Sequence, residues 1–283
     1  MYIYNKQKKY MEFKQDITNE CGFHIKKKGV FCAPPDVVDK IKVLADVNAT
    51  DKTVLETLKN KFNCDTEICI LNTSEVKTIL GPETILKVID TFYKPSGPRD
   101  NNRWFSNSDI DNVLDQISKK YDTKHFLHIN FQMIDFEKTG SALTKLDWPK
   151  KYDEGFRSFG TVFNTDVSTG GGKHWFCIYA SFEDVDEEFT LEYFNSSGEL
   201  PMNQISMWMK RVKHEWQPHF TKTIREVVVT RIVNQQDEWN CGSYSLYYII
   251  SRLDGVPYTY FKTHAIGDSN MQEFRQYLFR KDQ

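Results

Sequence analysis

One histidine, one asparagine and one cysteine occur in an order that supports thiol catalysis. His174 precedes Asn195, and Cys241 follows both. A free thiol has a pKa of about 8.5, so little thiolate exists at neutral pH unless an imidazole takes the proton. Cys241 is therefore predicted to be the nucleophile and His174 its base. A neutral amide such as Asn195 can hold the imidazole in the required tautomer, because the thiolate–imidazolium pair already carries the charge.

The tetrahedral intermediate formed by thiolate attack also needs hydrogen-bond donors aimed at its oxyanion. Gln235 stands six residues before Cys241. Its side-chain amide is predicted to supply this donor together with the Cys241 backbone N–H, and Gln236 is the alternative.

Each of these residues also has an ordinary structural interpretation. A lone cysteine in a long chain is usually a small, buried apolar residue. The run Asn195-Ser196-Ser197-Gly198 is also typical of a turn after a strand. The combined pattern is more specific than any single part of it.

Several stretches around these residues resemble the superfamily of ubiquitin-like-protein proteases and adenovirus-type proteases. Within this superfamily the chain more closely resembles the polyprotein-processing cysteine proteases of the African swine fever virus type, from large cytoplasmic DNA viruses. The resembling stretches are Gly97-Pro98-Arg99, residues 163–170, Gly172-Lys173-His174-Trp175, Glu192-Tyr193-Phe194-Asn195-Ser196, residues 241–246 and Arg252-Leu253-Asp254, with a weaker one at residues 64–69.

This resemblance implies an α+β, papain-like core in which helices flank a mixed central sheet. Helical periodicity in residues 1–95 predicts a mainly helical N-terminal arm before this core. The resemblance also implies that His174, Asn195 and Cys241 form the catalytic triad and that Gln235 belongs to the oxyanion hole. Ubiquitin-like-protein proteases usually have Asp as the third member, so Asn195 departs from the broad superfamily and agrees with the viral subgroup.

The same resemblance implies where the substrate binds. Trp104-Phe105-Ser106-Asn107 is similar to the segment that opens the protease domain in this superfamily. There, its tryptophan and the one after the catalytic histidine, here Trp175, cover a channel for Gly-Gly. Only glycine lets an extended backbone pass through so narrow a slot. Trp175, Trp104, Asn107 and Gly242 are thus the expected substrate contacts, although both tryptophans could instead be core residues.

The resemblance implies an endopeptidase that cleaves viral structural polyproteins at Gly-Gly-Xaa sites during virion maturation, through an acyl-enzyme on Cys241. We expect a monomer without cofactor or metal, located at assembly sites in the host cytoplasm and in the virion. Three alternatives remain at this point. They are a deconjugating protease for ubiquitin or a ubiquitin-like modifier, an acyltransferase, and a catalytically silent scaffolding protein.

Composition agrees with a globular enzyme. Hydrophobic residues make up 40% of the chain and charged residues 27%, with a net charge of -2. No bulk attraction to nucleic acid is expected from this charge. Apolar runs are far shorter than the roughly 20 residues that cross a bilayer, and the N-terminus lacks the features of a signal peptide. Secretion is therefore not expected.

The six cysteines are expected to be reduced, because a cytosolic compartment keeps thiols free. Cys64 and Cys69 lack a second Cys or His pair at structural-zinc spacing, so a metal site is not expected either. Cys177 is predicted to be a core residue. The cysteines are Cys21, Cys32, Cys64, Cys69, Cys177 and Cys241.

The chain is predicted to divide into an arm over residues 1–95 and a protease core over residues 96–283, joined by a linker at Pro95-Ser96-Gly97-Pro98. Asn107 or Ser108 is predicted to cap the first helix of the core. Propensity predicts strands at residues 159–163, 175–182, 189–194 and 227–233, and periodicity predicts helices at residues 203–216, from Cys241 onward, and at residues 270–279.

These elements can position the catalytic side chains. Cys241 in the first turn of a helix would lie near unpaired N–H groups that favour thiolate. His174 and Asn195 would meet if the strands that they flank pair antiparallel. Residues 164–173, with three consecutive glycines, are predicted to be a mobile loop that delivers His174. A phosphate-binding loop is disfavoured, because the Gly-Lys here precedes a strand and not a helix.

Overall fold

The computed structural model describes residues 17–25, 31–45, 51–100, 102–121, 126–184, 186–229 and 232–281. Its centre is a mixed sheet in the order β1-β3-β4-β5-β6, with β2 also paired to β3. β3, β4 and β5 are antiparallel neighbours, whereas β1, β2 and β6 join the sheet in parallel pairs. The strands are β1 (Phe126–His128), β2 (Gln132–Met133), β3 (Ser158–Asn164), β4 (Trp175–Ser181), β5 (Phe189–Phe194) and β6 (Ile224–Val228).

Helices cover both faces of this sheet and also build the N-terminal region. They are α1 (Pro35–Ile41), α2 (Asp51–Phe62), α3 (Glu67–Leu71), α4 (Ser74–Leu80), α5 (Pro82–Phe92), α6 (Asn107–Lys120), α7 (Phe136–Thr139), α8 (Trp148–Asp153), α9 (Asn203–Trp216), α10 (Cys241–Leu253), α11 (Tyr258–Phe261) and α12 (Asp268–Leu278). This arrangement confirms the predicted mixed sheet flanked by helices.

The three central strands are apolar throughout because each of their two faces is covered. Every residue of β3, β4 and β5 is buried. On one face Trp175, Cys177 and Tyr179 pack in a cluster with α10, α6 and α12. On the other face Phe176 and Ile178 pack in a second cluster with α9 and α8. Successive side chains of one strand therefore serve opposite cores, as pleating requires.

Most predicted elements are confirmed, and two details are wrong. The strand predicted at residues 227–233 begins earlier, at Ile224, because its pairing partner β5 sets its limits. The cap of α6 is Ser106, not Asn107 or Ser108. Ser106 Oγ accepts from the Asp109 backbone N–H, and the Asp109 carboxylate accepts from the Ser106 N–H, which forms a capping box.

The N-terminal region has a hydrophobic cluster of its own, drawn from residues 21–93. Two disulfide bonds lie in it, Cys21–Cys32 and Cys64–Cys69. The expectation that these cysteines are reduced is wrong. Their Cα atoms lie 5.1 and 5.5 Å apart, within the range that disulfides need, and that proximity is set by folding and not by spacing in the sequence. Cys177 is a free, buried core residue, as predicted.

The predicted linker has no regular secondary structure, but it is packed into the protein. Gly97 lies so close to the Phe279 ring that a Cβ would collide with it. Pro95 accepts a hydrogen bond from the Arg280 backbone N–H. These two contacts attach the segment to the C-terminal end of the chain. The domain boundary near residue 95 stays a prediction. No helix in the described ranges is long and apolar enough to span a membrane.

Candidate active site

Antiparallel pairing of β4 and β5 brings His174 and Asn195 together. Cys177 pairs with Phe194, so the residue before β4 and the residue after β5 lie at the same edge of the sheet. The His174 Nε2 atom lies 2.7 Å from Asn195 Oδ1. The sequence prediction for this pair is thus matched by a direct hydrogen bond.

The bonds around Asn195 determine which imidazole nitrogen is protonated. The Ser197 backbone N–H donates to Asn195 Oδ1 at 3.0 Å, and an N–H can only donate, so this atom must be the amide oxygen. The Asn195 Nδ2 group donates to the Tyr193 hydroxyl at 3.1 Å. Because the oxygen faces His174, Nε2 must carry the proton. Nδ1 of the neutral ring is then the lone-pair nitrogen that can take a proton from a thiol.

Cys241 is the first residue of α10, as predicted, and α10 packs on β4. Its sulfur receives the backbone N–H of Trp175, the residue after His174, and also the N–H of Gly242. The thiol therefore lies beside the start of β4, where His174 is. The three predicted triad residues converge on this edge of the sheet.

Burial raises the pKa of the Cys241 thiol to about 11, because only 1% of the residue is exposed and a low dielectric disfavours the thiolate. The N–H groups of Trp175 and Gly242 act in the opposite direction and lower the pKa, while the charge of Asp237 raises it. The predicted effect of the helix N-terminus is present but is outweighed by burial. The predicted role of His174 as the base that takes the thiol proton would counter this effect of burial.

Gln235 lies at the same edge of the sheet and is half-buried. Its Oε1 accepts from the Ser196 hydroxyl at 2.8 Å, and its Nε2 donates to the Asp237 backbone oxygen at 2.8 Å. Nε2 also donates to Asp237 Oδ1 at 3.4 Å, so an oxyanion would have to share or replace one of these acceptors. Gln236 is exposed, and its backbone N–H donates to Asp268. Gln235 thus contacts Ser196, the residue after Asn195, and its role in the oxyanion hole stays a prediction.

The two tryptophans differ in environment and are joined through one residue. Trp175 is 3% exposed, and its indole N–H donates to the Phe105 backbone oxygen at 3.1 Å. Trp104, which precedes Phe105, is 45% exposed. Trp175 thus lies in the hydrophobic core, whereas much of the Trp104 ring is exposed, and a substrate contact of either residue stays a prediction. The alternative interpretation of Trp104 as a core residue is wrong.

Of the two other predicted substrate contacts, Gly242 is buried and Asn107 is exposed. A Cβ on Gly242 would lie 2.8 Å from the Phe105 ring, so close packing of α10 on Phe105 requires glycine there. Asn107 is exposed at the first position of α6. For both residues a substrate contact stays a prediction.

Hydrogen bonds connect the two ends of the loop before His174, and the predicted mobility of this loop stays a prediction. The Asn164 side-chain oxygen accepts the N–H groups of Asp166 and Lys173, each at 3.0 Å. The Asp166 carboxylate accepts the Gly172 N–H at 3.1 Å. Sequence reasoning missed the roles of Asn164 and Asp166. Their enrichment at loop turns was the available signal.

This arrangement can carry out acyl transfer at a peptide bond. In the predicted mechanism, His174 Nδ1 would take the Cys241 proton and the sulfur would attack the carbonyl carbon of the substrate. The Cys241 backbone N–H and the Gln235 side chain are the predicted donors to the oxyanion. The imidazolium would then return its proton to the leaving amine, and a water molecule deprotonated by the same ring would hydrolyse the thioester. The hydrogen bond to Asn195 would hold the ring in one orientation.

Proteins with similar sequences include cysteine proteases of African swine fever virus. No model of a known protein family matches the chain. The cysteine protease of the Malawi isolate of African swine fever virus is 37% identical over 237 residues, which cover 78% of this chain and 85% of that protein. The corresponding protein of the Kenya isolate is 36% identical over the same shares and is named a SUMO-1 cysteine protease.

A crystal structure of the African swine fever virus protease superposes with a TM-score of 0.79 at 31% identity. The match covers 93% of this chain and 96% of that one. Similarity of this degree, over nearly the whole of both chains, extends to the fold as well as to the sequence. The chain belongs to the family of viral cysteine proteases that includes the African swine fever virus enzyme.

Proposed function

We propose that this cysteine protease cleaves viral structural polyproteins after Gly-Gly during virion maturation. The observation that carries the proposal is the link between the two tryptophans and the nucleophile. Phe105 follows the exposed Trp104, accepts the Trp175 indole N–H, and packs its ring on Gly242 next to Cys241. A substrate chain that reaches the sulfur would therefore pass a rigid aromatic surface.

A rigid aromatic surface next to a buried sulfur favours substrate residues without side chains. Cys241 is 1% exposed, so the substrate carbonyl must approach closely for attack. Glycine residues on the acyl side of the scissile bond make that approach possible, because they have no Cβ and adopt conformations closed to other residues. This supports Gly-Gly-Xaa as the site and an acyl-enzyme on Cys241 as the intermediate.

The proposal is tested with peptides that differ only at the two glycines. A Gly-Gly-Xaa peptide should be cleaved, whereas the matched Ala-Gly and Gly-Ala peptides should lose at least about 100-fold in kcat/KM, which corresponds to about 3 kcal/mol. Cys241→Ala should abolish turnover, and Cys177→Ala, at the other free cysteine, should retain it. Equal cleavage of all three peptides would refute the glycine specificity.

The second candidate is a deconjugating protease for a ubiquitin-like modifier, which would act on a Gly-Gly tail with the same residues. A relative that bears the name SUMO-1 cysteine protease favours it. Modifier–fluorophore conjugates, including SUMO-1, can be compared with polyprotein peptides at equal concentration. A kcat/KM at least tenfold higher for a conjugate would favour deconjugation over polyprotein processing.

We further propose that the enzyme acts as a monomer at assembly sites in the host cytoplasm and is packaged in the virion. Polyprotein cleavage during maturation requires the enzyme to be present where the substrate assembles. Light scattering of the purified protein tests the monomer. Immunoblotting of gradient-purified virions, with and without protease treatment of their surface, tests packaging.

A further inference from the structure

Arg275 on α12 is a fully buried cation that donates to oxygen atoms of neutral groups. Its Nε donates to the Pro98 backbone oxygen at 2.9 Å, and its Nη2 donates to that of Arg103. Its Nη1 donates to the Trp239 backbone oxygen at 3.3 Å and to Asn240 Oδ1 at 3.1 Å. Burial lowers the pKa of Arg275 to about 10, so the side chain is charged at neutral pH.

Asn240 extends this set of bonds into the turn that carries the nucleophile. Its Nδ2 donates to Asp237 Oδ2 at 2.5 Å. The other carboxylate oxygen of Asp237 accepts the backbone N–H groups of Trp239 and Asn240, at 3.2 and 3.0 Å. Asp237 also accepts from Gln235 through its backbone oxygen. One continuous series of hydrogen bonds therefore runs from Arg275 to the predicted oxyanion-hole side chain.

Arg275 also holds the substrate side of the site. The Arg103 oxygen that it binds lies directly before Trp104 in the chain. Its guanidinium lies 4.7 Å from the centre of the Phe105 ring, the ring on which Gly242 packs. The guanidinium is also close enough to interact electrostatically with Cys241. One buried side chain thus connects the tryptophan segment with the nucleophile turn.

We propose that Arg275 is a positioning residue for catalysis, which holds the Cys241 turn and the Trp104–Phe105 segment in fixed positions relative to each other. It touches no reacting atom and acts through Asn240, Asp237 and Phe105. Its planar fork reaches four acceptors in different directions, which a lysine ammonium cannot do. Loss of this geometry should displace the thiol and the oxyanion donors by a fraction of an ångström, and displacements of about 1 Å cost roughly 100-fold in rate.

The test compares Arg275→Lys with Arg252→Lys. Arg252 is a largely buried arginine that pairs with Glu192 at the end of α10 away from Cys241. Both substitutions keep the positive charge and remove the planar guanidinium group. Both variants should melt at lower temperature than the wild type. Measured well below their Tm, Arg275→Lys should lose 10- to 100-fold in kcat with KM changed less than threefold, whereas Arg252→Lys should keep kcat within twofold.

A reduced Tm for Arg275→Lys with kcat unchanged would overturn the proposal, because a purely stabilising residue behaves in that way. If Arg275→Lys does not fold, Asn240→Ala removes the connection to the turn and leaves the other bonds of Arg275 in place. It should lower kcat about tenfold at constant KM, and an unchanged kcat would be equally decisive against the proposal.

The inference rests on protease chemistry at Cys241 and is separable from Gly-Gly specificity. If the wild type does not cleave a Gly-Gly-Xaa peptide, only the proposed specificity fails. The rate of Cys241 alkylation by iodoacetamide at pH 7 then serves as the readout. It should fall about tenfold in Arg275→Lys and stay within twofold of the wild type in Arg252→Lys, and equal rates in all three proteins would reject the positioning role.

Discussion

Arg252 donates two parallel hydrogen bonds of 2.8 Å each to the Glu192 carboxylate, and the Glu192 side chain has no solvent exposure. The Tyr248 hydroxyl donates to the same carboxylate at 2.5 Å. Glu192 belongs to β5, which ends just before Asn195, and Arg252 belongs to α10, which begins at Cys241. The pair therefore stabilises the packing of the C-terminal end of α10 against β5, at the end of the helix away from Cys241.

Removing one member of this pair should destabilise the protein strongly. Arg252→Met leaves the Glu192 carboxylate buried without its counter-charge, and such losses cost about 3–5 kcal/mol. Urea unfolding should show this loss, and a second substitution, Glu192→Leu, should recover part of it. The exposed pair Arg225–Glu188 is the control, and Arg225→Met should leave the unfolding midpoint unchanged. Equal losses of stability in Arg252→Met and Arg225→Met would contradict the conclusion that the buried Glu192 carboxylate depends on its counter-charge.

Asn195 should tolerate replacement by aspartate better than by alanine. Aspartate keeps an oxygen for His174 Nε2–H and for the Ser197 N–H, and its charge stabilises the imidazolium. We expect Asn195→Asp to retain kcat within about tenfold, while Asn195→Ala loses 100-fold or more, because the ring is no longer held in one tautomer. Ser197→Ala, which keeps the N–H, should change kcat less than threefold. Steady-state kinetics on one peptide measures all three variants.

An alkylating reagent should label Cys241 before Cys177. Four cysteines are in disulfides, and Cys177 is fully buried with its pKa raised by burial. In His174→Ala the Cys241 thiol has no base, and a pKa of about 11 leaves roughly one part in ten thousand as thiolate at pH 7.

Because burial raises the pKa of Cys241, the rate of its labelling should depend on pH. In His174→Ala the labelling rate should rise about tenfold per unit from pH 7 to pH 9.5, because thiolate forms only as the pH approaches the raised pKa. Mass spectrometry of timed samples measures it. A plateau near pH 8.5 would show that burial does not control this thiol.

The sequence predicted those elements whose apolar pattern is strong. Helix α9 matches its predicted limits, because Ile205, Trp208, Met209 and Val212 repeat with helical period and all face the core. The strand predicted at residues 227–233 was misplaced, because its limits depend on where it pairs with β5. The strand propensity of one segment gives no information about that pairing. Ser106 was missed as a cap, although its reciprocal partner Asp109 lies at the required spacing.

The predicted site residues lie in short motifs, whereas the residues that hold them are scattered. His174 and Asn195 border consecutive strands, so their proximity follows from hairpin-like pairing. Arg275 contacts the Cys241 turn from a helix that follows it in the chain, and no spacing rule points to that contact. The disulfides were missed for a related reason, since a compartment argument cannot reveal which Cα atoms approach each other.

Glu67 is a buried carboxyl group in the N-terminal region, and it should make stability depend on pH. The Cys32 backbone N–H donates to it at 2.9 Å and the Tyr93 hydroxyl at 2.5 Å. Burial raises its pKa from 4.5 to about 7, although both hydrogen bonds lower it. Between these values the folded protein keeps a proton that the unfolded chain has lost.

The stabilisation by protonated Glu67 is thus fully present below about pH 4.5 and is lost as the pH rises through about 7. The whole effect is about 3 kcal/mol, from roughly 1.4 kcal/mol per pKa unit. Glu67→Gln cannot ionise and keeps an oxygen acceptor, so its free energy of unfolding should exceed that of the wild type at pH 8 and be similar at pH 4.5. Urea unfolding at both pH values measures the difference. If wild type and variant lose stability in parallel over this range, Glu67 ionises freely in the folded protein and its buried position has no energetic consequence.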